Sequence, residues 1–246
     1  MYSRIAEATA PTPRHGCSLV VIDMSPPTLL LVGGGNYGLC ADFILELVLA
    51  KGSKIIWNQV NLIAEDELPN SKKKEHELRN NAKLLPMRRA GALVAAVAKL
   101  VYIFGGTLDR DTLTNSMLIY DADTRKIRYH KFNTKVIPPP VLKGAMVYVS
   151  PCTIQISPHL YTFGGISIDG LCNDMYSYNI EHSEFTKCIF SHSVPAARDS
   201  HTMCVWRGSS NSGRPMLVVF GGFGLHTHTS TTILNDICIL DLCTIF

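Results

Sequence analysis

Long apolar runs, paired cysteines and concentrated charge are all missing from this 246-residue chain. The longest apolar stretch, Ala90 to Phe104, is broken by Lys99 and falls short of the ~20 residues a membrane-spanning helix needs. No N-terminal apolar run reads as a signal peptide, so no membrane is expected and the setting is cytoplasmic or nuclear. Eight cysteines, Cys17, Cys40, Cys152, Cys172, Cys188, Cys204, Cys238 and Cys243, include no CxxC pair. Neither a zinc site nor a disulfide framework follows, and most of these thiols are expected to act as small buried hydrophobes. The net charge of +3 is scattered, and its one concentration, Lys72-Lys73-Lys74, sits among Glu65, Asp66, Glu67, Glu75 and Glu77. That balance argues against nucleic acid and for a solvated insertion over 63–85. G-x-S-x-G, Walker and H-E-x-x-H motifs are also lacking, so no catalytic residue and no cofactor is assigned.

What the chain has is a repeat. Apolar runs close on glycines at Leu29–Gly35, Leu100–Gly106, Leu160–Gly165 and Leu217–Gly222, with the last glycines 71, 59 and 57 residues apart. After each comes a polar loop and a strand-like segment, at Asp42–Leu47, Asn115–Asp121, Asn173–Tyr178 and Asn235–Asp241, several alternating with the period of two that a two-faced strand requires. An aromatic follows at Trp57, Tyr129, Phe185 and Phe246, 22, 23, 20 and 24 residues beyond the glycines. Proline-containing segments, three of them with an arginine, open the units: Pro13-Arg14, Pro86 to Arg89, Pro138-Pro139-Pro140 and Pro195 to Arg198. Each unit reads as four short strands separated by turns.

This pattern resembles the kelch repeat, whose unit is one four-stranded blade of a β-propeller. The resemblance implies an all-β fold with units over about 13–62, 86–132, 138–190 and 195–246. It also implies glycines where blades crowd the axis and aromatics packed between blades. The units depart from the family in three places: Ala41 replaces the asparagine of unit one, Ser116 replaces the aspartate of unit two, and unit three opens without arginine. Propellers of this family usually have more blades than four. Two outcomes stay open: residues 1–6 close the ring by giving the last unit its fourth strand, which removes an unpaired edge, or the propeller is incomplete.

The competing motif Gly33-Gly34-Gly35-Asn36-Tyr37-Gly38 satisfies G-x-G-x-x-G, but Lys51 to Asn58 supplies no acidic residue for a ribose, and the repeat explains four sites where a nucleotide explains one. In an extended loop His226 and His228 would share a side, yet no third metal ligand is evident. The resemblance therefore implies a noncatalytic interaction module, adaptor or scaffold that binds a protein or peptide. The alternative is a propeller enzyme of the galactose-oxidase type or another small-molecule activity. Oligomeric state is left open.

Alternating strand direction puts second-to-third-strand loops on the same side as the connections between units. That face is expected to carry Arg14, Arg89 and Arg198 as carboxylate contacts, with Asn36, Tyr37, Asp109, Arg110, Asp111, Asp169, His226 and His228 in the loops. For each arginine the competing role is pairing with a neighbouring backbone or acidic group.

Overall fold

The computed structural model describes residues 10–24, 26–36, 39–40, 44–48, 56–64, 89–108, 112–151, 157–190, 193–207, 215–227 and 230–242. Among them all regular structure is strand, without a helix, and no helix is long and apolar enough to cross a membrane. Four main antiparallel sheets follow one another along the chain, one per sequence unit.

Sheet 1 contains β1 (His15–Met24), β2 (Pro27–Asn36), the short β3 (Leu39–Cys40), β4 (Ile44–Val48) and β5 (Trp57–Gln59), in the order β1-β2-β4-β5 with β3 on the end of β2. Sheet 2 begins with β6 (Ile63–Ala64), which adds in parallel to the outer strand. It continues through β7 (Leu93–Val97), β8 (Leu100–Phe104), β9 (Met117–Asp121) and β10 (Lys126–His130). The first two residues of the expected insertion are thus an edge strand; 65–85 lie outside the described residues. Sheet 3 comprises β11 (Ala145–Val149), β12 (His159–Phe163), β15 (Met175–Asn179) and β16 (Glu184–Lys187), with the hairpin β13 (Ile166–Ser167) and β14 (Gly170–Leu171) between its second and third strands. The last unit has a short ladder of β17 (Arg198–Asp199), β20 (Phe223–Thr227) and β21 (Ser230–Ile233). Beside it lies sheet 4, made of β18 (Thr202–Arg207), β19 (Pro215–Phe220) and β22 (Ile237–Asp241). Residues 1–6 and Phe246, expected in a fourth strand here, lie outside the described residues.

The alternation legible in sequence gives each strand two apolar faces, and the sheets stack through them. Leu30, Val32 and Ile44 of sheet 1 pack on Val101, Ile103, Leu118 and Tyr120 of sheet 2. Phe104, Met117 and Ile119 of sheet 2 pack on Tyr176, Tyr178 and Phe185 of sheet 3. Phe163 and Met175 of sheet 3 then pack on Leu217, Val219 and Leu240 of sheet 4. Phe185 takes the inter-sheet place expected of an aromatic, its ring centroid 5.4 Å from that of Phe104. In unit two that place belongs to Ile127, which lies opposite Tyr120 as Phe185 lies opposite Tyr178. Ile127 is fully buried, while Tyr129, two residues further on, is half exposed.

First strands of successive sheets lie side by side, β1 by β7, β7 by β11 and β11 by β18. Among the described residues no backbone hydrogen bond joins sheet 4 to sheet 1. Burial marks the same break. The residue before each glycine pair is 6% exposed at Val32 and 0% at Phe104 and Phe163, but 50% at Phe220. Ile237, paired with Phe220 as Met175 is with Phe163, is 65% exposed.

Candidate partner-binding face

Three of the four glycine pairs form joints between units. The second glycine donates its amide N–H to a carbonyl that opens the following unit: Gly34 to Arg89 (2.8 Å), Gly106 to Val141 (2.7 Å) and Gly165 to Arg198 (2.8 Å). The first glycine must let that carbonyl in. At Gly164, φ is +64° and an added Cβ would stand 2.6 Å from the Arg198 oxygen, so neither its conformation nor its space admits a side chain. Gly33 and Gly105 repeat this geometry. Val141 holds the position in unit three, which explains how that unit manages without arginine: the joint uses the backbone.

The arginine side chains turn back into their own units. Arg198 is buried and donates through Nη1 to the Gly221 carbonyl (3.1 Å), while Nη1 and Nη2 grip Asp236 Oδ1 and Oδ2 at 2.8 and 2.7 Å. The bidentate pair raises the Arg198 pKa and holds the Asp236 carboxyl down to about 2. Arg89 is equally buried and donates to the carbonyls of Gly105 (3.1 Å) and Ser116 (2.9 Å) and to Ser116 Oγ (2.7 Å). With a serine in place of the aspartate, desolvation dominates and pulls its pKa down to about 10, offset in part by Tyr129. In unit three, without an arginine, the equivalent Asp174 pairs with Lys187 at 2.9 Å. Arg14, half-buried, donates to Gly33 O (3.2 Å), Thr12 O (3.2 Å) and Thr12 Oγ1 (2.8 Å).

For Arg89 and Arg198 these positions favour the second of the two roles weighed, pairing within the chain. Arg89 and Arg198 are internal braces, and burial removes them as contacts for an outside carboxylate. The polar pair that follows each glycine pair, read from sequence only as a strand start, supplies their acceptors.

Two residues beyond each opening carbonyl a second series of bonds runs from unit to unit. Gly91 N–H donates to Gly16 O (2.7 Å), Lys143 N–H to Gly91 O (2.7 Å) and Ser200 N–H to Lys143 O (2.8 Å). All four residues are left-handed, with φ of +61°, +67°, +59° and +54°. The sequence hides this because only two of the four are glycine. Beside the last link, His201 packs edge-on to Phe163 (5.4 Å between centroids), and burial with nearby Arg198 lowers its pKa to about 4.

Above these joints the second-to-third-strand connections form turned-back ribbons. Each is tied to the segment that opens its own unit: Ala90 and Thr107 exchange hydrogen bonds, as do Leu142 and Ile166, and Arg198 pairs with Gly224. Loop tips and unit connections therefore share one side. Asn36, at the β2 end, and Asp169 are exposed there. Ile168, beside Asp169 at the β13–β14 tip, is 90% exposed, and Ile233 on β21 is 82% exposed; neither was singled out in the sequence, where an isolated isoleucine in a strand-rich chain carries no signal. Tyr37, Asp109, Arg110, Asp111 and His228 lie outside the described residues, as does the side chain of His226. Among the described residues no three metal-ligating side chains cluster.

Antiparallel sheets stacked face to face, joined at glycine pairs and bearing their loops on one side, define a repeat protein of propeller type. The chain belongs to the kelch-repeat family: residues 70–245 match the KLHDC2/KLHL20/DRC7 Kelch-repeats domain. It is similar to Kelch domain-containing protein 3 of Homo sapiens, 31% identical over 175 residues that cover 64% of this chain and 40% of that protein. The proteins of the same name from Rattus norvegicus and Mus musculus are 29% identical over 171 residues with the same coverage. The chain thus spans about two fifths of the length of these relatives. Kelch domains are commonly protein-interaction modules.

Proposed function

We infer that the chain is a noncatalytic interaction module built of kelch blades, and that the loop-bearing face takes a protein or peptide. The observation that carries this reading is the contrast on that face between braced base and bare tips. The glycine joints and buried arginines fix the base, whereas Ile168 and Ile233, like Asn36 and Asp169, stand exposed on the loop-bearing side. Exposed apolar side chains on a rigid frame supply contact area at low ordering cost, and the polar neighbours supply orientation. Arg14, at the edge of the same face, completes the set; Arg89 and Arg198 belong to the frame.

Selection of a random peptide library on the immobilised chain tests this. A selected peptide should lose tenfold or more in affinity when Ile168→Ser and Asp169→Ala are combined. It should be unaffected by Glu181→Ala, in the turn between β15 and β16 at the opposite edge. Affinity that survives the first variant and falls with the second refutes the assignment of the face.

A further inference from the structure

In three units the carbonyl of the first glycine accepts a bond from the arginine that opens the unit. Gly33 O accepts from Arg14 Nη1 (3.2 Å), Gly105 O from Arg89 Nη1 (3.1 Å) and Gly221 O from Arg198 Nη1 (3.1 Å). Unit three has Val141 in that place, and among the described residues nothing donates to Gly164 O. A narrow cavity lies there instead, lined in part by Val141, Thr162, Gly164, Asp174 and Tyr176. Thr162, Gly164 and Asp174 are the counterparts of Ile103, Gly105 and Ser116, the three residues to which Arg89 donates. Asp174 is also the counterpart of Asp236, which holds Arg198 by both oxygens. Its cation comes from elsewhere. Lys187 on β16, half exposed, reaches Asp174 Oδ1 at 2.9 Å with its Nζ 5.9 Å from the Tyr176 ring centroid, and it does not line the cavity. Unit three therefore keeps the acceptors of a guanidinium slot without the arginine.

We propose that this slot takes the guanidinium of an arginine side chain carried by a protein or peptide partner, which supplies from outside the group that Arg89 and Arg198 supply from within. This rests on the reading of the loop-bearing face as the partner-binding face. The slot opens toward that face: Asp174 stands at the foot of the β13–β14 ribbon that bears Ile168 and Asp169, and Pro138, also in the lining, belongs to the connection between units. A guanidinium is flat, so it can donate two parallel bonds to the carboxylate and a further one to the Gly164 carbonyl, as Arg198 does with Asp236 and Gly221. An ammonium is a point charge that cannot serve all three acceptors in this planar arrangement. Lys187 can give way to the incoming group, because an exposed ion pair holds weakly and its ammonium remains in water. The Gly164 carbonyl gains the donor that its counterparts have.

Titration of the whole chain with N-acetyl-arginine amide, followed by nuclear magnetic resonance at the amides of Gly164 and Met175, tests the slot. Both signals should shift and saturate, and N-acetyl-lysine amide should bind about tenfold more weakly or worse. Val141→Arg, which fills the slot from within, should abolish the shifts, as should Asp174→Asn. Val141→Ala leaves the acceptors in place and should keep them, and circular dichroism confirms that each variant is folded. The partner is tested with a peptide selected on the immobilised chain. Its affinity should fall about tenfold when its arginine is replaced by lysine, and equally when the chain carries Val141→Arg. Absent or unsaturable shifts, equal binding of the lysine compound, or shifts that survive Val141→Arg would overturn the slot. Selected peptides that bind without any arginine, beside a saturating N-acetyl-arginine amide, would overturn the partner as the source and assign the slot to a small guanidine compound. A peptide indifferent to Val141→Arg yet weakened by combined Ile168→Ser and Asp169→Ala overturns the slot and leaves the face standing, so the two failures are distinguishable.

Discussion

Two buried arginines with different acceptors provide a reciprocal exchange. Arg198 faces the carboxylate of Asp236, whereas Arg89, at the same place in its unit, faces the hydroxyl of Ser116. The fall in the Arg89 pKa from 12.5 to about 10 corresponds to about 3 kcal/mol of penalty on the charged form. Both values lie far above neutrality, so this penalty is present in full at pH 7 and does not vary with pH there. Ser116→Asp should supply the missing counter-ion. After the new carboxylate's own desolvation, a net gain of about 1–2 kcal/mol is expected. Asp236→Ser should do the reverse. The Asp236 side chain is 46% exposed, so water screens the pair, and the loss should be about 1–2 kcal/mol rather than the ~3–5 kcal/mol of a fully buried pair. Urea denaturation with unchanged m-values measures both. In the Ser116→Asp protein the introduced carboxyl should also titrate well below the ordinary range, as Asp236 does. Destabilisation by Ser116→Asp together with a neutral Asp236→Ser would refute the reasoning, because carbonyl acceptors alone would then suffice for both arginines.

Gly164→Ala should cost about 3 kcal/mol or more, of which about 1–2 is left-handed strain and the rest the encounter with the Arg198 carbonyl; a loss under 1 kcal/mol in urea would deny the close approach. Phe104→Ala should cost about 3–5 kcal/mol, while Phe220→Ala, half exposed at the equivalent position, should cost about 1 kcal/mol in dilute solution; equal losses would mean that sheet 4 is covered. The His201 pKa is depressed to about 4 from 6.5. The unfolded chain therefore binds the extra proton between those values, and stability is complete above pH 6.5 and declines by up to about 3 kcal/mol toward pH 4. Asp236 titrates below that window, and His201→Phe should flatten the decline; an unchanged slope assigns it elsewhere.

Strand positions were legible because two-faced strands and glycine pairs leave a periodic record: the segments after the pairs begin with the polar residues Asn115-Ser116, Asn173-Asp174 and Asn235-Asp236, and the strands β9, β15 and β22 start directly behind them. Which of their two roles Arg89 and Arg198 take was not legible, because sequence gives a residue's order and not its direction. Arg89 and Arg198 turn inward to carbonyls 16 and 23 residues away. Ile127 replaced Tyr129 between the sheets because inter-sheet space is assigned by strand register, and both share the parity that a period of two detects. The hydrogen-bond series through Lys143 and Ser200 left no trace, since left-handed backbone at a residue other than glycine is enforced by its neighbours.

The account stands on the joints between successive units, and amide hydrogen exchange at Gly34, Gly106 and Gly165 addresses them most directly. Each N–H donates to the unit that follows, so all three should be protected with free energies near that of global unfolding, far slower than the hairpin-tip amide of Ile168. Exchange at those glycines as fast as at Ile168 would contradict the joints, and with them the braced face on which partner binding is proposed.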